Sequence, residues 1–526
     1  MTATGWFLFF LILQIVHFAG TWKLYQKAGR KAWEALIPVY NAIVLMKIIN
    51  RPVWWVILLF IPIINLIMFP VVWVETARSY GRNSTADTWL TILTLGLYIY
   101  YINYALEVTY IPERSLKPRT ATGEWVSSIL FAIVAATLVH TYIMQPYVIP
   151  TSSLEKSLLV GDFLFVSKFH YGARVPMTTV AAPMVHDTIP GLGMKSYLFN
   201  DDISKKNTSW MNKFQLPYMR LPGFEDIKRN EIVVFNQPAD TLRDMNDFYP
   251  DRNYYKPIDK KTNLVKRCVG VPGDSLEIRD GYVYINGEKT VLPDRARPQY
   301  SYIVKTNGAN LSPAYMYERF DVTDNFGQRS DGSYYFVALT EESALRLSKT
   351  PNVVSVERQV EASGRPNPRL FPNTKDNMWS ADNFGPIYIP EKGKKIALTK
   401  ENLPLYKRII REYEGNTLQV NGNEITINGQ PAESYTFKQD YYWMMGDNRD
   451  NSIDSRYWGY VPFDHVVGKP VFVWFSWDKI SKNVRWDRVF TTVNGSGKPV
   501  SYFKYFLIAV AAWIVFGFIR KKKIKK

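Results

Sequence analysis

Three groups of residues have the types and spacing to do chemistry. The hydroxyl cluster Thr151, Ser152 and Ser153 lies between Pro150 and Leu154, on an expected turn between a strand-like run and an apolar segment. An ordinary Ser/Thr turn has the same composition, so a nucleophile there needs a base from elsewhere. Lys266 stands in a strand-like run with Leu264, Val265, Cys268 and Val269. An unperturbed lysine, with a pKa near ~10.4, is neutral only about once in 2,500 at pH 7. Apolar burial can lower that pKa by roughly 3–5 units and make the free amine a major species. The third group is GDNRDNSIDSRYWGYVP, residues 446–462. Apart from Ile453, every position from 447 to 455 is Asp, Asn, Arg or Ser. Acids, amides and arginines in that alternation can saturate one another's hydrogen bonds, which describes a rigid polar shell. The run has no His, Cys or Lys, so any catalytic group must come from another part of the chain.

Other chemistries find less support. His17 and His140 fall in apolar stretches, and His170, His186 and His465 belong to no motif, which disfavours a Ser-His-Asp triad and leaves a Ser/Lys dyad as the better reading. Ser153 and Lys156 form an SxxK match of the penicillin-binding type, but the KTG strand that class requires is absent. The lone Cys268 excludes an intrachain disulfide and a cysteine zinc cluster, and neither HExxH nor a phosphate-binding glycine loop occurs. No metal or cofactor is expected.

The elements that must position these groups begin with the membrane. Five stretches are apolar enough to span a bilayer, which takes about 20 residues: residues 5–22, 53–74, 89–106, 125–144 and 502–519. Trp22, Trp54, Trp55, Trp73, Trp89 and Trp125 lie near their ends, as interfacial anchors do. The start does not read as a cleavable signal peptide, because the basic residues follow the apolar run. Loops 23–52 and 107–124 are basic and loop 75–88 is weakly so, and six of the last seven residues are Lys or Arg. That alternation predicts an N-terminus outside, a C-terminus in the cytoplasm, and residues 145–501 outside. The net charge of +17 is concentrated in such loops and in the tail, which argues against a nucleic-acid partner and for a lipid bilayer.

The external part reads as β, in short Val/Ile/Tyr/Phe runs between Gly, Asn, Asp and Pro turns. LEIRDGYVYINGE (276–288) aligns without gaps to LQVNGNEITINGQ (418–430), each with hairpin turns at Asp280-Gly281 or Asn421-Gly422 and a closing Asn-Gly. Helices are expected at 340–348, capped by Thr340, and at 399–413. The expected fold class is a mainly β external catalytic domain, an antiparallel body with an inserted lobe, plus α-helical membrane segments. The expected boundaries are an N-terminal membrane domain at 1–124 with three spans, an anchor at 125–145, catalytic β segments at 146–288 and 418–501, an inserted lobe at 289–417, and a C-terminal helix with basic tail at 502–526.

Taken together, IPTSSL, VKRCVGVPGD and GDNRDNSIDSRYWGYVP resemble type I signal peptidases of bacteria, with GDFLFVSKFHYG and KRNEIVVFNQP fitting the remaining motifs of that family. The resemblance covers about residues 146–290 and 384–475. It implies a membrane-bound serine endopeptidase that removes signal peptides from exported preproteins at the outer face of the cytoplasmic membrane. By position, Ser153 matches the nucleophile, Lys266 the general base, Thr151 the hydroxyl of the oxyanion hole, and Ser452 the serine that orients the lysine amine. Asp447, Arg267, Asp454 and Arg456 match supporting ion pairs. Tyr147, Ile149, Leu154, Leu158 and Val265 match the walls of the substrate groove, and Leu264 to Lys266 is the expected strand beside the substrate. Leu154, Lys156, Ser157 and Cys268 depart from the usual residues of the family without removing a catalytic group.

Overall fold

The computed structural model describes residues 2–118, 120–238, 255–422 and 424–524. They fall into two compact units, one formed by Met1–Ile143, Arg174–Leu221 and Asp240–Thr262, the other by Met144–Ala173, Pro222–Ala239 and Asn263–Lys526. The basic tail expected at 520–526 runs out of the described residues after Ile524.

In the first unit, the helices Ala3–Lys27 and Ala121–Ile143 are long and apolar enough to cross a membrane. Two of the expected spans take another form. Residues 53–74 break into Trp55–Leu58 and Asn65–Ser79, and residues 89–106 into Thr85–Leu93 and Tyr98–Tyr104. Pro62 lacks a backbone N–H for helix continuation, and the next residue, Ile63, has a positive φ of 71°. Leu95 and Gly96 likewise turn the chain at φ of 52° and 83°. The 15-residue helix Asn65–Ser79 is about 22 Å long, short of the ~30 Å hydrocarbon core. Each segment is thus two shorter helices joined by a turn. They pack on the first helix through an apolar core that includes Leu24, Tyr25, Val44, Val72 and Ile102.

The second unit is the antiparallel β body, and the mainly β fold class expected from the sequence is the one observed. Its main sheet has strands β1 (Met144–Val148), β2 (Asp162–Ser167), β3 (Ile232–Asn236), β4 (Asn263–Gly270), β5 (Tyr441–Met445), β6 (Val461–Pro462) and β7 (Val466–Asp478). They lie in the order β1-β2-β7-β3-β4-β5-β6. The third helix able to cross a membrane, Phe503–Arg520, leaves this unit at its end.

The internal repeat is a structural repeat. Ser275–Arg279 pairs with Tyr282–Ile285 as Leu418–Asn421 pairs with Glu424–Ile427. The turn residues Asn286 and Gly287, like Asn428 and Gly429, have positive φ, as the hairpin requires. Asn286 Oδ1 accepts from the Ser275 N–H and Asn428 Oδ1 from the Thr417 N–H, both at 2.9 Å. The helix Glu341–Ser348 is capped by Thr340, whose hydroxyl accepts from the Ser343 N–H. The helix expected at 399–413 forms as Leu403–Arg408 continued by a wider turn, Ile409–Tyr413.

Within residues 289–417 the structure distinguishes two parts. Strands between Gln299 and Arg358 form a four-stranded sheet with a core of its own, including Val304, Met316, Phe336 and Leu347. Phe384, Leu403, Tyr406 and Ile410 instead share a core with Val269 and Trp443 of the main sheet.

Candidate active site

Ser153 stands on a tight turn, Ser152–Leu154, immediately after β1. Leu154 and Leu158 drive the turn inward. They are buried with Ile149, Leu164, Val166, Ile232 and Val234, and Tyr147 and Val265 pack against the same cluster. Strand alternation explains part of this selection, since Tyr147 and Ile149 are two residues apart. It also separates Leu264 from Val265. The Leu264 side chain packs on the opposite face with Val233, Phe235 and Cys268.

Lys266 sits in β4 opposite Val233, on the face it shares by alternation with Leu264 and Cys268. Its side chain is 4% exposed, and its Nζ donates to Ser153 Oγ at 2.5 Å. Burial among apolar neighbours pushes its pKa down to about 8. The Arg456 charge adds to the fall, and Asp454 and Asp447 oppose it. A lysine at that value is a substantial proton acceptor near neutral pH. Thr151 precedes the turn in an extended conformation with its side chain exposed.

The polar run after β5 wraps this pair. Arg267 forks onto Asp447, Nε to Oδ1 at 2.8 Å and Nη2 to Oδ2 at 2.5 Å, and Ser157 Oγ donates to the same Oδ2 at 2.5 Å. Arg456 forks onto Asp454 through two bonds of 2.9 Å, and Asp454 also accepts from the Gly446 N–H at 3.0 Å. All four ionic side chains are almost fully buried. Burial alone would raise both aspartate pKa values, but the paired arginines outweigh it and hold them below the usual carboxylate value. Ser452 is buried nearby, yet its hydroxyl makes no hydrogen bond among the described residues, and the lysine amine is bonded to Ser153 instead.

Several residues that sequence reasoning left without a role hold the turn. Asn448 donates its backbone N–H to Ser153 O at 3.1 Å, and its side chain to Ser152 O at 3.1 Å. Asn451 donates to Ser152 Oγ at 3.1 Å. At Gly446 a Cβ would come within 2.5 Å of Ser153 O and overlap Ser452 Oγ, so only glycine permits the approach. These residues stood inside a conspicuous motif, and their types were visible without any sign of which atom each would meet.

Comparison with known proteins agrees with this geometry. The model of the family "Signal peptidase, peptidase S26" matches residues 122–338 and 431–477, just over half of the chain. The chain belongs to that family and is a serine endopeptidase, and the three helices long and apolar enough to cross a membrane among the described residues fit a membrane-bound one. A family of unknown function, DUF5684, matches residues 33–113, the region of the short N-terminal helices. Among curated relatives, "Signal peptidase I" of Buchnera aphidicola subsp. Baizongia pistaciae is 24% identical over 354 residues, covering 67% of this chain and 76% of that protein. "Signal peptidase I" of Helicobacter pylori strain J99 is 24% identical over 72% of this chain and 94% of its own length. The Rickettsia massiliae protein of the same name is 25% identical over 72% and 86%.

Proposed function

We propose that this protein removes signal peptides from exported preproteins at the outer face of the cytoplasmic membrane, with Ser153 as nucleophile and Lys266 as general base. The observation that carries this reading is the 2.5 Å contact between Lys266 Nζ and Ser153 Oγ in a setting that lowers the lysine pKa. Neutral Lys266 takes the Ser153 proton as Oγ attacks the scissile carbonyl. The Ser153 N–H and the Thr151 hydroxyl stabilise the oxyanion, and losing one such donor costs on the order of 3 kcal/mol. The lysine then passes its proton to the leaving amine, and activates the water that releases the acyl-enzyme.

The substrate adds as an extended strand. β1 is the end strand of its sheet, and β4 acquires its β5 partner only from Arg267 onward, which leaves backbone at Leu264–Lys266 for pairing. Tyr147, Ile149, Leu154, Leu158 and Val265 line the apolar side. The resemblance to type I signal peptidases implies small residues at the −1 and −3 positions of the signal peptide. Asp447, Arg267, Asp454 and Arg456 brace the turn and strand that carry the dyad.

Three membrane passes, at Ala3–Lys27, Ala121–Ile143 and Phe503–Arg520, keep the N-terminus and the β body outside and the C-terminus in the cytoplasm. Residues 28–120 then lie on the cytoplasmic side, the side on which the basic loops 23–52 and 107–124 are predicted.

The test is cleavage of a purified preprotein in detergent, with N-terminal sequencing of the product. Cleavage after a small −1 residue, blocked by a bulky replacement there and unaffected by EDTA, supports the reading. Cleavage indifferent to the −1 residue, or strong inhibition by EDTA, overturns it.

A further inference from the structure

The nucleophile turn is attached to a segment outside every motif discussed so far. Residues 321–325 link the helix Pro313–Phe320 to the strand Phe326–Gln328, and Val322 anchors them in the separate core of that sheet. Asp324 Oδ2 accepts from Asn448 Nδ2 at 2.8 Å, and Oδ1 accepts from Asn451 Nδ2 at 3.1 Å. These are the same amide groups that reach Ser152, the residue before the nucleophile. A primary amide has two N–H donors. The carboxylate draws one from each asparagine, and so aims the other at Ser152. Asn448 Oδ1 is buried and has no hydrogen-bond partner among the described residues. Its orientation is therefore set by its donors, and a flipped amide would turn that oxygen against the Asp324 carboxylate. On the far side of Ser153 a second carboxylate of the segment does similar work. Asp321 pairs with Lys156 at 2.9 Å, although the Lys156 side chain is itself buried.

We propose that Asp324 is a positioning residue for the peptidase reaction: through the Asn448 and Asn451 amides it fixes Ser152, and with it the backbone of the Ser153 turn. This rests on Ser153 being the nucleophile. It gives part of the 289–417 segment a role, which is to hold the catalytic turn by charge-assisted hydrogen bonds rather than to bind substrate.

The experiment measures steady-state cleavage of a preprotein by the full-length enzyme in detergent. Asp324→Ala is expected to lower kcat about 10- to 30-fold while KM stays within about 2-fold and the cleavage position is unchanged. Asp324→Asn sets an amide donor against the Asn451 donor and lowers kcat as well. The exchange Asp324→Asn with Asn451→Asp restores complementarity, because the new amide donates to the new carboxylate, which accepts the Ser152 hydroxyl. Most of the lost kcat returns in that double variant. A wild-type kcat for Asp324→Ala, or a double variant no faster than Asp324→Asn alone, overturns the proposal. If Asp324→Ala does not fold, the near-isosteric Asp324→Asn and the exchange carry the test. Ser153→Ala is the control. Its inactivity beside a fully active Asp324→Ala refutes this inference alone, whereas its activity refutes the nucleophile assignment and the inference together.

Discussion

At the scale of single residues, the behaviour of Lys266 follows from where its amine is buried. Its pKa falls from 10.5 to about 8 because the charged form is poorly solvated. Below that value the amine holds a proton and cannot accept the one from Ser153. Turnover should therefore rise about tenfold per pH unit on the acid side and level off above about 8. A pH–rate profile of preprotein cleavage measures this, and an ascending limb centred near 6 would point to a different base. Between about 8 and 10.5 the unfolded chain binds more protons at this lysine than the folded chain, so its contribution to stability increases with pH in that window. Ser153 and Lys266 were legible as candidates because a hydroxyl cluster and a lysine among apolar residues are visible in a string of letters. The pairing of Asn448 and Asn451 with Ser152 was not, since it depends on the three-dimensional path of a loop nearly 300 positions away.

At the scale of elements, the polar run after β5 acts as a frame whose members are not interchangeable. Asp447→Ala leaves Arg267 buried without its carboxylate, and breaking a buried pair in this way costs about 3–5 kcal/mol. The expected readout is a clearly lower midpoint of thermal unfolding in detergent, and an unchanged midpoint would remove Asp447 from the frame. Gly446→Ala acts differently, because the added Cβ pushes on the Ser153 carbonyl. It should reduce kcat roughly 100-fold by displacing the proposed nucleophile, and normal turnover would show that the turn yields without consequence. The strand pattern and the hairpin repeat were readable, because alternation and Asn-Gly turns are local signals. The breaks in the two N-terminal helical segments were not. Hydropathy registers the apolarity of residues 53–74 and 89–106, whereas their shape is set by single backbone turns at Ile63 and Leu95-Gly96.

At the scale of the whole molecule, the proposed orientation places the β body outside the cytoplasm and residues 28–120 between the first two membrane helices. Cys268 is the only cysteine in the sequence and is buried, so engineered thiols can be read against a low background. With a membrane-impermeant thiol reagent, Ser204→Cys should label in intact cells and Ser115→Cys only after permeabilisation. The reverse pattern would invert the topology.

The central claim is that Ser153 and Lys266 together cleave the peptide bond. Its most direct measurement is the rate at which purified Ser153→Ala and Lys266→Ala process a preprotein in detergent at pH 8, compared with the unaltered enzyme. Both variants should fall to background while unfolding at temperatures close to that of the parent. Processing at the parental rate by either one would contradict the dyad.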